Sequence, residues 1–185
     1  MDQGADLYKR FRDSGDNDAL AGIIRLYRDG LIYYLSSIVG NFRLAEELAV
    51  DTFVLLGTRK PRDKGIGSFK TWLYTIGRNL AINELRRRGR NREDSLENCP
   101  ELAGEGNPEQ YFLQEEEKRS LYRALGSLKA EYRQVLWLVY LEDMSHREAA
   151  AVMKKSVHSV DTLVYRARKA LKDQMEQEEI HHERI

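Results

Sequence analysis

The chain has 185 residues, 42% of them hydrophobic and 32% charged, with 30 Lys and Arg balanced by 30 Asp and Glu. That length and balance describe a globular protein of one ordinary domain or two small ones. No run of about 18 apolar residues exists to span a membrane. MDQGADLYKRFRDSGD lacks the apolar stretch of a secretory signal, and the single cysteine, Cys99, permits no internal disulfide, so a reducing cytoplasm is the expected setting.

The zero net charge conceals a segregation. Residues 59–92 carry +9, residues 93–117 carry −9, and residues 118–175 carry +6; residues 1–58 and the last ten residues are each −3. Two basic blocks joined by an acidic strap point to two polyanion-binding modules on one chain, with the strap drawn toward the basic faces in the free protein.

The apolar period is helical nearly throughout, and with only three prolines the expectation is an all-α protein. Residues 19–40 form a first helix, ended by Gly40-Asn41. Residues 43–58 form a second, with Leu44, Leu48, Phe53 and Leu55/Leu56 inward and Glu46, Glu47 and Asp51 outward. RKPRDKGIGS is a loop. Residues 69–88 form a third helix, with Leu73, Ile76 and Leu80 toward a core and Thr75, Asn79, Asn83 and Arg86 on one polar face. NREDSLENCPELAGEGN is a linker, and Asn107-Pro108-Glu109 opens a helix reaching to about residue 125. A strongly apolar helix over 129–141 follows. Ser145-His146-Arg147-Glu148 is a capping box that opens a short helix to about Met153; a turn at Lys154–Ser156 leads to a last, basic helix. Short helix, tight turn and basic helix make a helix-turn-helix.

The third helix combines Phe69, Trp72 and Tyr74 with five arginines: Arg78, Arg86, Arg87, Arg88 and Arg90. Core aromatics with a solvated basic end explain part of this pattern. A membrane-surface helix fits less well, because the polar stripe holds Thr and Asn and the arginines lie beyond the apolar part. Nucleic acid fits all of it, since arginines hold phosphates, asparagines read base edges and aromatics stack on unpaired bases. GIGSFKT is not a phosphate-binding loop, because Phe69 precedes Lys70-Thr71 where glycine is needed. His181-His182 on the tail is not read as a metal pair. No cofactor or metal is expected. No nucleophile, base and orienting group occur together, which argues against an enzyme.

LAEELAVDTFVLL, GSFKTWLYTIGRNLAINELRRR and EYRQVLWLVYLEDMSHREAAAVMKKSVHSVDTLVYRARKAL, in that order, resemble an extracytoplasmic-function (group 4) sigma factor of bacterial RNA polymerase, in the sigma-70 family. The resemblance covers roughly residues 19–90 and 108–172. It implies two small helical domains: region 2 over 1–92 and region 4 over 108–175, with an acidic linker over 93–107 and an acidic tail over 176–185. It further implies core polymerase (its clamp helices and flap), promoter DNA and an anti-sigma factor as partners, and a cytoplasmic monomer that an anti-sigma factor can hold at the membrane.

In that family the second helix of region 2 docks on a basic coiled coil of the polymerase clamp, which gives Glu46, Glu47, Leu48 and Asp51 a partner. Leu44 and Val50 depart from the family's usual acid and glutamine, making this surface more apolar. For the −10 element the resemblance assigns Lys64, Gly65 and Ser68 in the loop, and Trp72, Thr75, Arg78, Asn79, Asn83, Arg86 and Arg87 on the helix. Asn79 matches the residue that helps hold a flipped-out base, and flipping costs a few kcal/mol that pocket contacts repay. For the −35 major groove it assigns Ser156, His158, Ser159, Thr162, Tyr165, Arg166, Arg168 and Lys169. Asp161 and Leu163 stand where the family often carries Lys and Arg, and Lys154 and His158 where Gly is common. An interaction protein that sequesters an anti-sigma factor, or a helix-turn-helix repressor acting without polymerase, are the competing readings.

Overall fold

The computed structural model describes residues 2–61, 67–93 and 116–182, and every regular element among them is helical. Lys64 and Gly65, the start of the helix expected at residue 108, and the strap between 94 and 115 lie outside the described residues.

Helix α1 (Gln3–Ser14) is absent from the sequence expectation; Tyr8 and Phe11 mark its apolar side, with Ala5 and Leu7 partly buried beside them. One turn apart, both rings are buried. Asp2 caps it, one carboxylate oxygen accepting from the Ala5 amide at 3.2 Å. The other oxygen accepts from the Phe69 amide at 2.7 Å, so one side chain serves the starts of two helices.

Helix α2 (Asn17–Val39) is capped by Asp16 and ends at Gly40, whose φ of 68° suits a residue without Cβ. Its stretch Leu31–Leu35 is buried on every side, because α3, α4 and α6 all contact this helix. Helix α3 (Phe42–Arg59) starts on Asn41, which accepts from the Leu44 amide at 2.8 Å. Leu44, Leu48, Phe53 and Leu56 point inward as their spacing predicts.

Helix α4 (Phe69–Glu93) corrects one expectation. Its buried stripe is Leu73, Tyr74, Gly77 and Ala81, whereas Ile76 and Leu80 are half-buried at its edge. Small residues fix this register. A Cβ on Gly77 would lie 3.0 Å from Leu31 Cδ1 and 3.4 Å from Thr52 Oγ1, so the glycine permits a close three-helix crossing that hydrophobic spacing does not reveal.

The C-terminal helices are α5 (Glu116–Ser127), α6 (Ala130–Leu136), α7 (His146–Met153) and α8 (Val157–His182). The expected helix over 129–141 changes character midway, since Trp137–Leu141 forms a single π-helical turn. The wider turn directs Trp137 and Leu138 inward and leaves Tyr140 and Leu141 exposed. The capping box at Ser145 and Glu148 is present as the sequence predicts. Helix α8 extends beyond residue 175 to His182, so the tail is helical over its described part.

The N-terminal and C-terminal helices meet directly. Helix α2 packs on α6 and α4 on α7, and one hydrophobic cluster runs through both halves.

Lys154 closes α7 at φ 54°, in the left-handed region that disfavours a side chain. It is exposed, so removing its side chain sacrifices no core contact. Lys154→Gly is expected to raise stability by about 1 kcal/mol, seen as a higher urea midpoint; a lower midpoint would contradict the strain.

Candidate nucleic-acid interface

The proposed −10 face begins at Ser68, whose hydroxyl accepts from the Thr71 amide at 3.3 Å and lies 2.9 Å from the Thr71 hydroxyl. Trp72 is not a free stacking platform. It is half-buried, with ring centroids 5.2 Å from Tyr8 and 5.6 Å from Phe69, so its first task is to fasten α1 to α4. Thr75 is half-buried, its hydroxyl donating to the Thr71 carbonyl at 2.8 Å. Asn79 is half-buried, while Asn83, Arg86 and Arg87 are exposed.

Arg78 departs from the sequence expectation. Its Nε is buried, and its guanidinium lies beside the Tyr34 hydroxyl. Burial pushes the Tyr34 pKa up, and the Arg78 charge works against that rise. Arg78 thus acts from beneath the surface, whereas Arg86 reaches out from it. Arg87 is exposed but engaged: its Nε and a terminal nitrogen each donate to Glu84 at 2.8 Å, and Arg88 donates to the same carboxylate at 2.7 Å. Those hydrogen bonds, from Arg87 first and Arg88 next, hold the Glu84 carboxyl down at about 2.

On α3, Glu47 and Asp51 are exposed as expected. Glu46 is half-buried and sits 3.5 Å from an Arg28 nitrogen. Leu48, at 6% exposure, belongs to the core as its spacing predicts, and not to the docking surface on which the resemblance places it. Leu44 is also buried, so the added apolar character of this surface comes from Val50 and Val54, both more than half exposed.

In the helix-turn-helix, Ser156 caps α8 by accepting from the Ser159 amide at 3.1 Å, and the two hydroxyls lie 2.8 Å apart. His158, Ser159, Tyr165, Arg166 and Lys169 are exposed and Thr162 is half-buried. Arg168 stands apart from them. Its guanidinium lies 6.0 Å from the Tyr140 ring centroid, at the edge of an apolar groove of about 440 Å³ that Leu121, Leu125, Leu136 and Leu171 also line. The two departures at usually basic positions acquire local reasons. Asp161 is held by His146 on α7, Nδ1 to Oδ1 at 2.6 Å, and Leu163 is half-buried against the core.

Sequence reasoning missed a set of residues that join the two halves. Glu148 Oε1 accepts from the Ser68 hydroxyl at 2.9 Å and the Thr71 hydroxyl at 3.1 Å. Its Oε2 accepts from the Ser145 amide at 3.0 Å and hydroxyl at 2.8 Å. Burial works to raise this carboxyl, but the hydrogen bonds from Ser145, Ser68 and Thr71 outweigh it and hold the pKa at about 2. Lys70 Nζ donates to the Glu142 carbonyl at 2.9 Å and lies 3.3 Å from its carboxylate. Only the capping box gave any sign of this in the sequence, because pairs 72 to 80 residues apart leave no local period.

The comparisons with known proteins identify the family. Sigma-70 region 2 matches residues 23–91, and Sigma-70, region 4 matches residues 118–171. RNA polymerase sigma factor YlaC of Bacillus subtilis is 30% identical over 160 residues, 85% of this chain and 92% of that protein. ECF RNA polymerase sigma factor SigW of the same organism is 26% identical over 170 residues, 87% of this chain and 91% of its own length. The sigma factor RpoE, solved in complex with the anti-sigma factor NepR from Bartonella quintana, superposes with a TM-score of 0.66 at 27% identity, covering 83% of this chain and 94% of that one. CnrH, solved with the cytosolic domain of CnrY, has a TM-score of 0.63 at 22% identity over 95% of this chain and 99% of that one, a likeness of fold. With both regions matched in order on a chain whose described elements are all helical, the protein belongs to the extracytoplasmic-function sigma factors of the sigma-70 family.

Proposed function

We propose that this sigma factor docks on core RNA polymerase through α3, reads and opens the −10 element with α4 and its preceding loop, and reads the −35 element with α8. The observation that carries this assignment is that three faces of suitable chemistry remain exposed on one helical core. These are Glu47 and Asp51 on α3, Asn83 and Arg86 on α4, and Ser159, Tyr165, Arg166 and Lys169 on α8. Val50 and Val54 add apolar contact beside the α3 acids. The groove between α5, α6, the π turn and α8 fits an apolar helix of the polymerase flap, with Arg168 and Lys172 at its rim. A repressor acting alone has no use for an exposed acidic helix, and a pure decoy has no use for the Asn and Arg face of α4.

Within the −10 surface, Arg86 and Asn83 approach the strand from outside while half-buried Asn79 lines the base pocket. Arg87 and Arg88 are partly neutralised by Glu84, which tempers the phosphate attraction at the end of α4. In the −35 surface, Arg166 and Ser159 face the groove, and the His146–Asp161 pair keeps a carboxylate from repelling the backbone.

Four expectations follow from these roles. Arg166→Ala is expected to weaken −35 duplex binding by about 1–3 kcal/mol if it makes a bidentate base contact. Asn79→Ala should spare that binding but impair open-complex formation, read by permanganate footprinting; normal opening on a duplex promoter would remove the flipped-base role.

Reversing Glu47 and Asp51 to Lys should weaken assembly with core polymerase at unchanged helical circular dichroism. Parental assembly by this variant would contradict docking through α3.

Glu84→Gln releases two arginines from one carboxylate. Single-stranded DNA binding is then expected to tighten at low salt, and its log–log salt dependence to steepen by roughly 0.7 for each additional phosphate contact. An unchanged slope would place Arg87 and Arg88 off the DNA.

A further inference from the structure

Ser68 belongs to the loop that the proposed reading assigns to the flipped −10 base, Thr71 lies beside it with the hydroxyls 2.9 Å apart, and in the free chain both hydroxyls are already taken. Both donate to Glu148 Oε1, at 2.9 and 3.1 Å, from across the boundary between the two halves. Hydrogen bonds to an ionised acceptor are about twice as strong as neutral ones. Held at a pKa of about 2 by its hydrogen bonds, the Glu148 carboxyl is an anion throughout the neutral range. An anion held at the mouth of a site for a polyanion excludes it by charge as well as by position.

The surrounding contacts hold Glu148 there. Trp137 stacks on Tyr33 with ring centroids 3.8 Å apart and planes 20° from parallel. Lys70 grips the Glu142 carbonyl and carboxylate. Gly30 on α2 makes room for the Glu142 carboxylate, which a Cβ there would overlap. The Gln134 side chain makes a longer contact, 3.5 Å, with the Ser37 carbonyl. These contacts cover the start of α4 and the middle of α2. They leave Glu47 and Asp51 on α3, and Ser159, Arg166 and Lys169 on α8, exposed.

We propose that the C-terminal helices are an intramolecular stand-in for the −10 strand: Glu148 occupies the hydroxyl donors that the promoter base engages, so the free chain binds a −35 duplex and docks on polymerase but does not read the −10 strand until the Glu148, Glu142 and Trp137 contacts part. This rests on the −10 reading given above. It makes the block selective. Of the two DNA faces, the one that reads duplex stays open and the one that holds melted strand is closed.

The test compares the parent, Glu148→Gln and Trp137→Ala, as full chains, free and assembled with core polymerase. The probes are the −35 duplex and the single-stranded −10 non-template segment of a promoter from which the assembled enzyme initiates. Gln still fills a capping box but is a neutral acceptor, and Trp137→Ala removes the Tyr33 stack without touching Ser68 or Thr71. Both free variants are expected to bind the −10 strand about tenfold more tightly than the free parent, the factor that a lost charge-assisted contact supplies. The −35 affinity should be unchanged, and all three assembled proteins should bind the −10 strand alike. Unchanged −10 affinity in the free variants, with normal binding once assembled, overturns the stand-in and leaves the −10 reading intact. Failure of the assembled parent to bind the −10 strand removes that reading and the stand-in together. A parallel rise in −35 affinity also overturns it, because general release of charge would then explain both. Should Trp137→Ala lose its helical circular dichroism, Glu148→Gln alone decides.

Discussion

The carboxylate of Glu148 joins levels of structure that are otherwise separate. Locally it closes the capping box that starts α7 and so fixes the entry to the helix-turn-helix. Over a long range it accepts from Ser68 and Thr71 and ties that helix-turn-helix to the first turn of α4. A half-buried acceptor with four donors is favourable only while all four are supplied, because each donor left dry would cost about 1–3 kcal/mol. The same arithmetic makes the closed arrangement separable. Water can satisfy the two long-range donors when the halves part, while Ser145 keeps its share of the carboxylate.

The hydrophobic contribution to that boundary includes an aromatic stack. Tyr33 and Trp137 stack across it, and Tyr74 lies close by, its hydroxyl pushed to a higher pKa by burial and then by the nearby Glu142 charge. Polar contacts fringe this stack through Lys70, Gln134 and Ser68. A boundary of that composition is suited to opening, unlike the core of the first four helices, where Leu31, Leu35 and Gly77 pack with almost no exposed surface. The architecture therefore places a densely packed core next to the contact proposed to separate. The residues proposed to read melted DNA lie at the separable side.

Much of this was open to the sequence alone. Apolar spacing found α2, α3 and α8, and the Ser-x-x-Glu signature located the start of α7 to the residue. Sequence blocks carried the family, and the comparisons bear it out. Three things escaped, each for a physical reason. Helix α1 is short and its apolar side is brief, and the partners that bury it, Phe69 and Trp72, lie some sixty residues further along the chain. The buried stripe of α4 is built on Gly77 and Ala81, which hydrophobic patterning does not count. The boundary between the halves depends on pairs far apart in the chain, and no local pattern records them. Among the site residues, Arg78 and Arg168 had the right chemistry for their proposed roles, but helix rotation set Arg78 beside Tyr34 and the exposed Arg168 near Tyr140, while Leu48 sits in the core that its spacing indicates.

The separation of the two halves tests this account most directly. With Cys99 replaced by Ser, spin labels at the exposed positions Thr58 and Lys172 report the distance between α3 and α8 by pulsed electron resonance, in the free chain and in the assembled polymerase. The account predicts one narrow, short distance in the free chain and a clearly longer one after assembly. The same distance in both states, or a broad distribution in the free chain, would contradict it.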